Sequence, residues 1–219
     1  MRKLELLQAI TSARVIAILR GMPADAVVAV AQALHAGGVR VLEITADSPG
    51  VLRMIEAVRE ELGDRATIGA GTILDAETAR AAILAGAEFI FSPNVKPAVI
   101  EVANRYGCVS VPGALTPSEI VTAYEAGASM VKLFPAVTVG PGYVKQLKGP
   151  LAHIPLCVVG GVDASNAAEF VRAGAEAVGV GSALVTARDV REGAMDRVQA
   201  RARELVDALA EAATSAPSR

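Results

Sequence analysis

The chain has 219 residues, a formal net charge of −2, 53% hydrophobic side chains and no tryptophan. That length fits one large domain or two small ones and supplies enough apolar surface for a substantial core. The near-neutral charge excludes a global attraction to nucleic acid or an anionic membrane, and the sequence has no uninterrupted apolar run of about 18 residues that would read as a transmembrane helix.

The first residues read as a short amphipathic helix presenting Leu4, Leu7 and Ile10. Glu5 and Gln8 interrupt the apolar stretch that follows Arg2 and Lys3, unlike a signal peptide. From there one unit repeats: a short apolar run, a turn with Gly or Pro, and an Ala-rich amphipathic stretch. The runs are Val15–Leu19, Val39–Ile44, Ala66–Ile68, Phe89–Phe91, Cys108–Val111, Met130–Phe134, Leu156–Val159 and Ala177–Val180. The helix-like stretches between them are Ala24–His35, Val51–Glu61, Ala76–Leu84, Pro97–Arg105, Pro117–Glu125, Gly142–Leu147 and Ala164–Ala173, and a long one covers Val190–Ala213. Ala36–Gly37, Ala85–Gly86, Ala126–Gly127 and Ala173–Gly174 read as helix stops with left-handed glycine. Strands alternating with helices imply parallel βαβ units. Strands that are continuously apolar are expected where both faces are buried. Eight such units predict an α/β fold, a single (β/α)8 TIM barrel with a short N-terminal helix. No linker divides the chain, so residues 1–213 form one domain and 214–219 a disordered tail. Cys108 and Cys157 stand in apolar surroundings and make no disulfide framework, and a cytoplasmic protein is the simplest expectation.

The segment Met130–Phe134 carries the most chemistry, because Lys132 lies inside an apolar run. The other four lysines, Lys3, Lys96, Lys145 and Lys148, have polar, Gly or Pro neighbours and read as solvated. Desolvation favours the free amine of a lysine, and a free amine is the nucleophile that condenses with a ketone. A lysine snorkelling from a strand end, or one paired with a buried carboxylate, is the plainer alternative. In a barrel the site lies at the carboxyl ends of the strands. Those ends carry Arg20, Glu43 with Thr45, Gly71 with Thr72, Pro93 with Asn94, Pro112 with Gly113, Lys132 with Phe134, Gly160 with Gly161, and Gly181 with Ser182. The amino ends carry little of this kind. Glu43 reads either as an ion-pair partner of Arg20 or Lys132 or as a proton carrier beside the lysine. Thr45 and Thr72 also read as helix N-caps, and the prolines as turn formers. Gly160–Gly161 and Gly181–Ser182 follow the last two strands, where such barrels bind phosphate through backbone N–H groups. Their pairing suggests a phosphorylated small molecule. His35, read as a solvated group at a helix C-terminus, and His153 lie away from this ring, and no His/Cys/Asp cluster has metal-ligand spacing.

In combination and order, these motifs resemble the class I 2-keto-3-deoxy-6-phosphogluconate aldolase family over nearly the whole chain. The marks are Val15-Ile-Ala-Ile-Leu-Arg20, Leu42-Glu43-Ile44-Thr45, Ile68-Gly-Ala-Gly-Thr72, Ser92-Pro93-Asn94 and Pro112-Gly113. They continue with Val131-Lys132-Leu-Phe-Pro135, Gly140-Pro141-Gly142, Gly160-Gly161-Val162 and Val180-Gly181-Ser182. The resemblance implies Lys132 as the Schiff-base lysine and Glu43 as the general acid/base. It implies Arg20 and Thr72 at the keto-acid end, Pro93 and Phe134 as walls, and Gly160, Gly161, Gly181 and Ser182 as the phosphate site. The substrate it implies is a phosphorylated keto-sugar acid, 2-dehydro-3-deoxy-6-phosphogluconate, cleaved to pyruvate and glyceraldehyde 3-phosphate. It further implies a homotrimer and no cofactor. Two positions depart from the pattern. Many members have an arginine four residues after the glutamate, where this chain has Asp47. Many have Pro-Thr-Gly-Gly after the seventh strand, where this chain has Val158-Val159-Gly160-Gly161. Val159 and Ser48–Pro49 look more like the 6-phosphogalactonate relatives, and 4-hydroxy-2-oxoglutarate is a further candidate substrate. A phosphosugar isomerase using Lys132 only for its charge, or a non-catalytic phosphate-ligand binder, are the readings of other classes.

Overall fold

The computed structural model describes residues 2–214. A helix, α1 (Arg2–Ala13), precedes the repeating units. The strands are β1 (Val15–Leu19), β2 (Val41–Thr45), β3 (Thr67–Gly71), β4 (Phe89–Phe91), β5 (Val109–Val111), β6 (Gly113–Ala114), β7 (Val131–Leu133), β8 (Leu156–Val159) and β9 (Ala177–Val180). The helices after α1 are α2 (Val27–Ala36), α3 (Val51–Leu62), α4 (Ala76–Leu84), α5 (Pro97–Arg105), α6 (Pro117–Glu125), α7 (Gly140–Lys148), α8 (Ala167–Arg172), α9 (Ala187–Glu192) and α10 (Met195–Thr214).

All paired strands are parallel, in the order β5-β4-β3-β2-β1-β9-β8-β7-β6. The predicted fifth strand, Cys108–Val111, appears as β5, and an unpredicted second segment, β6, follows it on the other side of Pro112. Proline has no N–H to give to a ladder. The first segment pairs with β4 and the second with β7, and the Pro112 carbonyl accepts from the Lys132 N–H at 2.8 Å. The expected eight-stranded (β/α)8 barrel is thus present, nearly closed, with one strand broken where it turns into the site.

Side chains alternate across each strand, and this alternation separates two cores. Val15, Ala17 and Leu19 of β1 face the helices with the larger cluster. Ile16 and Ile18 face the barrel interior with Val41, Phe89, Phe91, Val109, Val111, Met130, Cys157, Val159 and Ala177. The period of two then sends Glu43 (two after Val41) and Lys132 (two after Met130) into the same interior, one step nearer the carboxyl ends. From α1, Ile10 joins this inner cluster, with Leu6, Leu7 and Ala13 packed on it. Leu4, expected on the apolar face, is 72% exposed, because the helix presents Leu6 in its place.

Local signals set several helix starts. Thr116 and Glu119 form a reciprocal capping box ahead of Pro117, and Asp75 caps α4 through the Thr78 N–H. Thr72 is not a helix N-cap: it sits at φ +59°, and Thr45 donates instead to the Leu19 carbonyl at 3.2 Å. The long C-terminal helix is two helices, because Gly193 at φ +63° ends α9. The expected tail 214–219 lies outside the described residues except for Thr214, which closes α10. Gly86, Gly127 and Gly174 have the expected positive φ, but at the end of α2 it is Gly38 and not Gly37 that does. Gly37 is needed for close approach: a Cβ there would stand 2.5 Å from that of Ala202 on α10.

The amino ends of the strands are not bare, contrary to the sequence reading. Glu88, just before β4, accepts from Arg59 at 2.9 Å and from the Ile68 N–H. Glu176, just before β9, accepts from Lys148 at 2.7 Å and from the Leu156 N–H. Lys148, expected to be solvated, is 8% exposed and also donates to the Ile154 carbonyl. Lys3 is half-buried as well, donating to Asn104. Neighbouring residue types do not reveal either case, because the covering groups come from distant parts of the chain. His35 is half-buried, and the last carbonyls of α2 are bound by arginines, that of His35 by Arg40 and that of Ala36 by Arg203. No helix among the described residues is long and apolar enough to cross a membrane.

Candidate active site

Lys132 lies in the middle of β7 and is 4% exposed. Among the described residues its Nζ has no hydrogen-bond or ion-pair partner. It lies 4.8 Å from the centroid of the Phe134 ring and 5.5 Å from that of Phe91. Aromatic faces tolerate a cation without an opposing charge, so the amine is buried yet not tied to a carboxylate.

Glu43 on β2 is completely buried, and neither carboxylate oxygen has a hydrogen-bond partner. Unpartnered buried carboxylates are rare because losing water without replacement is costly. Burial raises the Glu43 pKa above the usual carboxylate range. The positive charge of Lys132 and, less strongly, of Arg20 pulls it back, and Asp47 adds a small upward push. The side chain fits because β3 carries a glycine two residues past its ladder partner Gly69: a Cβ on Gly71 would collide with Glu43 Oε1.

Both groups sit at one end of a cleft of about 870 Å³ over the carboxyl ends of the strands. Arg20, Thr72, Pro93, Lys132, Phe134, Gly160, Gly161, Gly181 and Ser182 all line it. Glu43 lies just beneath, out of contact with the open space. Of the strand-end residues, Thr45, Gly71, Asn94, Pro112 and Gly113 do not line the cleft. The cleft also takes in Val159, which the sequence singled out as a departure from the family pattern, and Ile18, Met22, Asp163, Gly179 and Thr186, which the sequence reading left out of the site. The interior alternation on β1 and β9 was the signal that could have found Ile18 and Gly179. The same alternation identifies Phe91 beneath Lys132.

The two glycine turns have the geometry of an anion cradle. Gly160 and Gly161 have φ of +100° and +72°, and a Cβ on Gly161 would stand 2.5 Å from that of Val137. The backbone N–H groups of Gly161, Val162, Ser182 and Ala183 donate to no other group of the described chain. Unused donors at two adjacent strand ends suit an anion with several acceptor oxygens.

Arg20 follows β1 and crosses to β2 and β3. Its Nη1 donates to Asp47 Oδ2 at 2.7 Å and its Nη2 to Thr72 Oγ1 at 3.1 Å. Burial pushes the Asp47 carboxyl up, but the Thr45 hydroxyl and the Arg20 guanidinium outweigh that and hold it below the usual range.

Fold and site together define a barrel enzyme of small-molecule metabolism, with its ionisable pair and its anion cradle on one face. The family model "KDPG and KHG aldolase" matches residues 6–201. The chain belongs to that family, whose members are aldolases and hence carbon–carbon lyases. It is 40% identical over 178 residues to the 2-dehydro-3-deoxy-6-phosphogalactonate aldolase of Escherichia coli K12, spanning 81% of this chain and 87% of that one. It is 33% identical over 194 residues to the 2-dehydro-3-deoxy-phosphogluconate aldolase of Treponema pallidum, spanning 88% and 92%. A solved structure described as native KDPGal superposes with a TM-score of 0.87 at 38% identity, covering 91% of this chain and 96% of that one.

Proposed function

We propose that the protein cleaves a 2-dehydro-3-deoxy-6-phosphohexonate to pyruvate and glyceraldehyde 3-phosphate through a Schiff base on Lys132. The observation that carries this reading is the buried, unpaired Lys132 beside the buried, unpaired Glu43. Each group costs folding free energy where it stands, and each is what imine chemistry requires. The Lys132 amine attacks the C2 carbonyl, and the resulting carbinolamine loses water with a proton from Glu43. The protonated imine then takes up the electron pair of the C3–C4 bond while Glu43, or a water it holds, removes the C4 hydroxyl proton. Glyceraldehyde 3-phosphate leaves. Protonation of the enamine at C3 and hydrolysis of the imine release pyruvate and restore the lysine. Glu43 suits both directions of proton transfer because its raised pKa lies nearer neutrality.

In this scheme Arg20 and Thr72 receive the carboxylate of the keto acid, Pro93 and Phe134 bound its chain, and the turns at Gly160, Gly161, Gly181 and Ser182 receive the phosphate. The assembly is a homotrimer, which sedimentation velocity checks. Incubation with pyruvate and borohydride followed by peptide mapping tests the chemistry: a pyruvyl adduct on Lys132 is expected, and an unmodified Lys132 in folded protein would leave the phosphosugar isomerase reading.

Between the two C4 epimers, Val159 favours the galactonate. It is a buried valine that lines the cleft, where many gluconate-type members carry a threonine hydroxyl, and the 40% identical relative bears the galactonate name. Comparing kcat/KM on the two 6-phosphohexonates decides between them, and a gluconate preference would return the assignment to the first expectation. The same assay on 4-hydroxy-2-oxoglutarate, which lacks a phosphate, measures what the glycine turns contribute.

A further inference from the structure

Asp47 occupies the position where many relatives of this family carry an arginine, and on sequence alone it counts only as a loss. The structure gives it a different part. Arg20 and Thr72 line the cleft, whereas Asp47 does not. The guanidinium is thus held on one Nη by Asp47, outside the cleft lining, and on the other by Thr72 Oγ1, within it. An arginine has five N–H donors in a planar fork, so two anchored donors fix its plane and leave others for an anion in the cleft. Thr72 holds its hydroxyl in place from a backbone at φ +59°, a conformation that is strained for a non-glycine residue. The Arg20–Asp47 pair is 54% and 43% exposed in its side chains, and pairs that exposed contribute little to stability. A clamp with little stabilising value, on a residue of the cleft wall, points to a purpose in binding.

We infer that Asp47 is a positioning residue, orienting the Arg20 guanidinium to receive the carboxylate of the 2-keto acid. The inference rests on the reading of Arg20 as the carboxylate's partner. It has a sign that a bystander role does not share. A free carboxylate near an anion site repels the ligand, so removing an idle Asp47 would tighten the binding of pyruvate or leave it unchanged. Removing a clamp loosens it, because the long Arg20 side chain must then be ordered by the ligand itself.

The experiment is the pyruvate concentration that half-saturates borohydride trapping, measured with steady-state kinetics on wild type, Asp47→Ala, Asp47→Asn, Arg20→Ala and the Arg20→Ala/Asp47→Ala double variant. Asp47→Ala is expected to raise half-saturating pyruvate, and KM for the phosphorylated keto acid, about tenfold, a cost of roughly 1.4 kcal/mol, while kcat moves less than threefold. Asp47→Asn keeps an acceptor for Nη1 and is expected to restore binding to within about threefold of wild type. In the Arg20→Ala background the Asp47→Ala change is expected to leave pyruvate binding unchanged or tighter, since the clamp has nothing to hold and only a repelling carboxylate is lost. Half-saturation in Asp47→Ala equal to or below wild type would overturn the inference, as would an equal penalty in the Arg20→Ala background. Trapping in the wild type alone tests the Schiff-base chemistry. If it yields no adduct, that chemistry fails, and calorimetric binding of pyruvate to the same five proteins still decides the role of Asp47.

Discussion

At the amino ends of the strands, Lys148 meets Glu176 and Arg59 meets Glu88, and the carboxylates also accept backbone N–H groups of β3 and β8. At the carboxyl ends, Lys132 and Glu43 are at least as deeply buried and have no such partners. Both faces thus hold buried ionisable groups, and satisfaction separates them. The two amino-end carboxylates form similar plugs, each on the residue before a strand and each bonded to the neighbouring strand. A buried charge that is paired and hydrogen-bonded is structural. One left unsatisfied is a candidate for work on a ligand, and burial by itself does not tell the two apart.

The largest expected break in this comparison is Lys132→Ala, which should abolish turnover and the pyruvyl adduct while leaving the melting temperature equal to or above that of the wild type. Steady-state cleavage and calorimetry read the two sides together. Next comes Glu43→Gln, expected to slow turnover by about 10²–10⁴-fold. The pH profile sharpens it. Because burial raises the Glu43 pKa, the wild-type acid limb of kcat/KM should lie above the usual carboxylate range and should vanish in Glu43→Gln.

The same shift has a stability sign. In the unfolded chain Glu43 ionises at its ordinary value, so at higher pH the folded state binds more protons than the unfolded one. The wild type then loses stability as pH rises through the folded pKa. The melting temperature of Glu43→Gln relative to wild type should therefore climb as pH rises from the ordinary glutamate pKa through the raised folded one, and a flat or falling difference would contradict the burial argument.

Lys148→Met should do the reverse of Lys132→Ala. It strips the partner from Glu176 and is expected to cost about 1–3 kcal/mol in urea unfolding, with kcat/KM within about twofold of wild type. Smallest is the contrast on α1. Ile10→Val, in the plug of the barrel floor, should cost about 0.5–1.5 kcal/mol. Leu4→Ala on the outer surface should stay within about 0.5 kcal/mol.

Much of this architecture is legible in the chain because its signals are local. Asp75, Pro97 and the Thr116–Glu119 box start α4, α5 and α6 where the residues themselves satisfy the first turn. The four short runs Val15–Leu19, Phe89–Phe91, Leu156–Val159 and Ala177–Val180 are strands with those boundaries. The misplacements occur where one residue's conformation decides. Gly193 cuts the last helix, and after Pro112 the chain resumes the sheet at Gly113–Ala114, which the apolar run ending at Val111 does not announce.

The order of apolar runs and turns determined an eight-unit barrel, and with it that Arg20, Glu43, Thr72, Lys132 and the two glycine turns would share one face. That follows because strand ends converge in any parallel barrel. Only the tertiary structure decided which charges are satisfied. Lys148 and Lys132 are both buried lysines, yet one finds a carboxylate 28 residues away in sequence and the other finds two aromatic faces. Asp47 likewise changes from a missing arginine into the residue that holds one. Pairing depends on side-chain geometry across the ring, which neither spacing nor composition encodes.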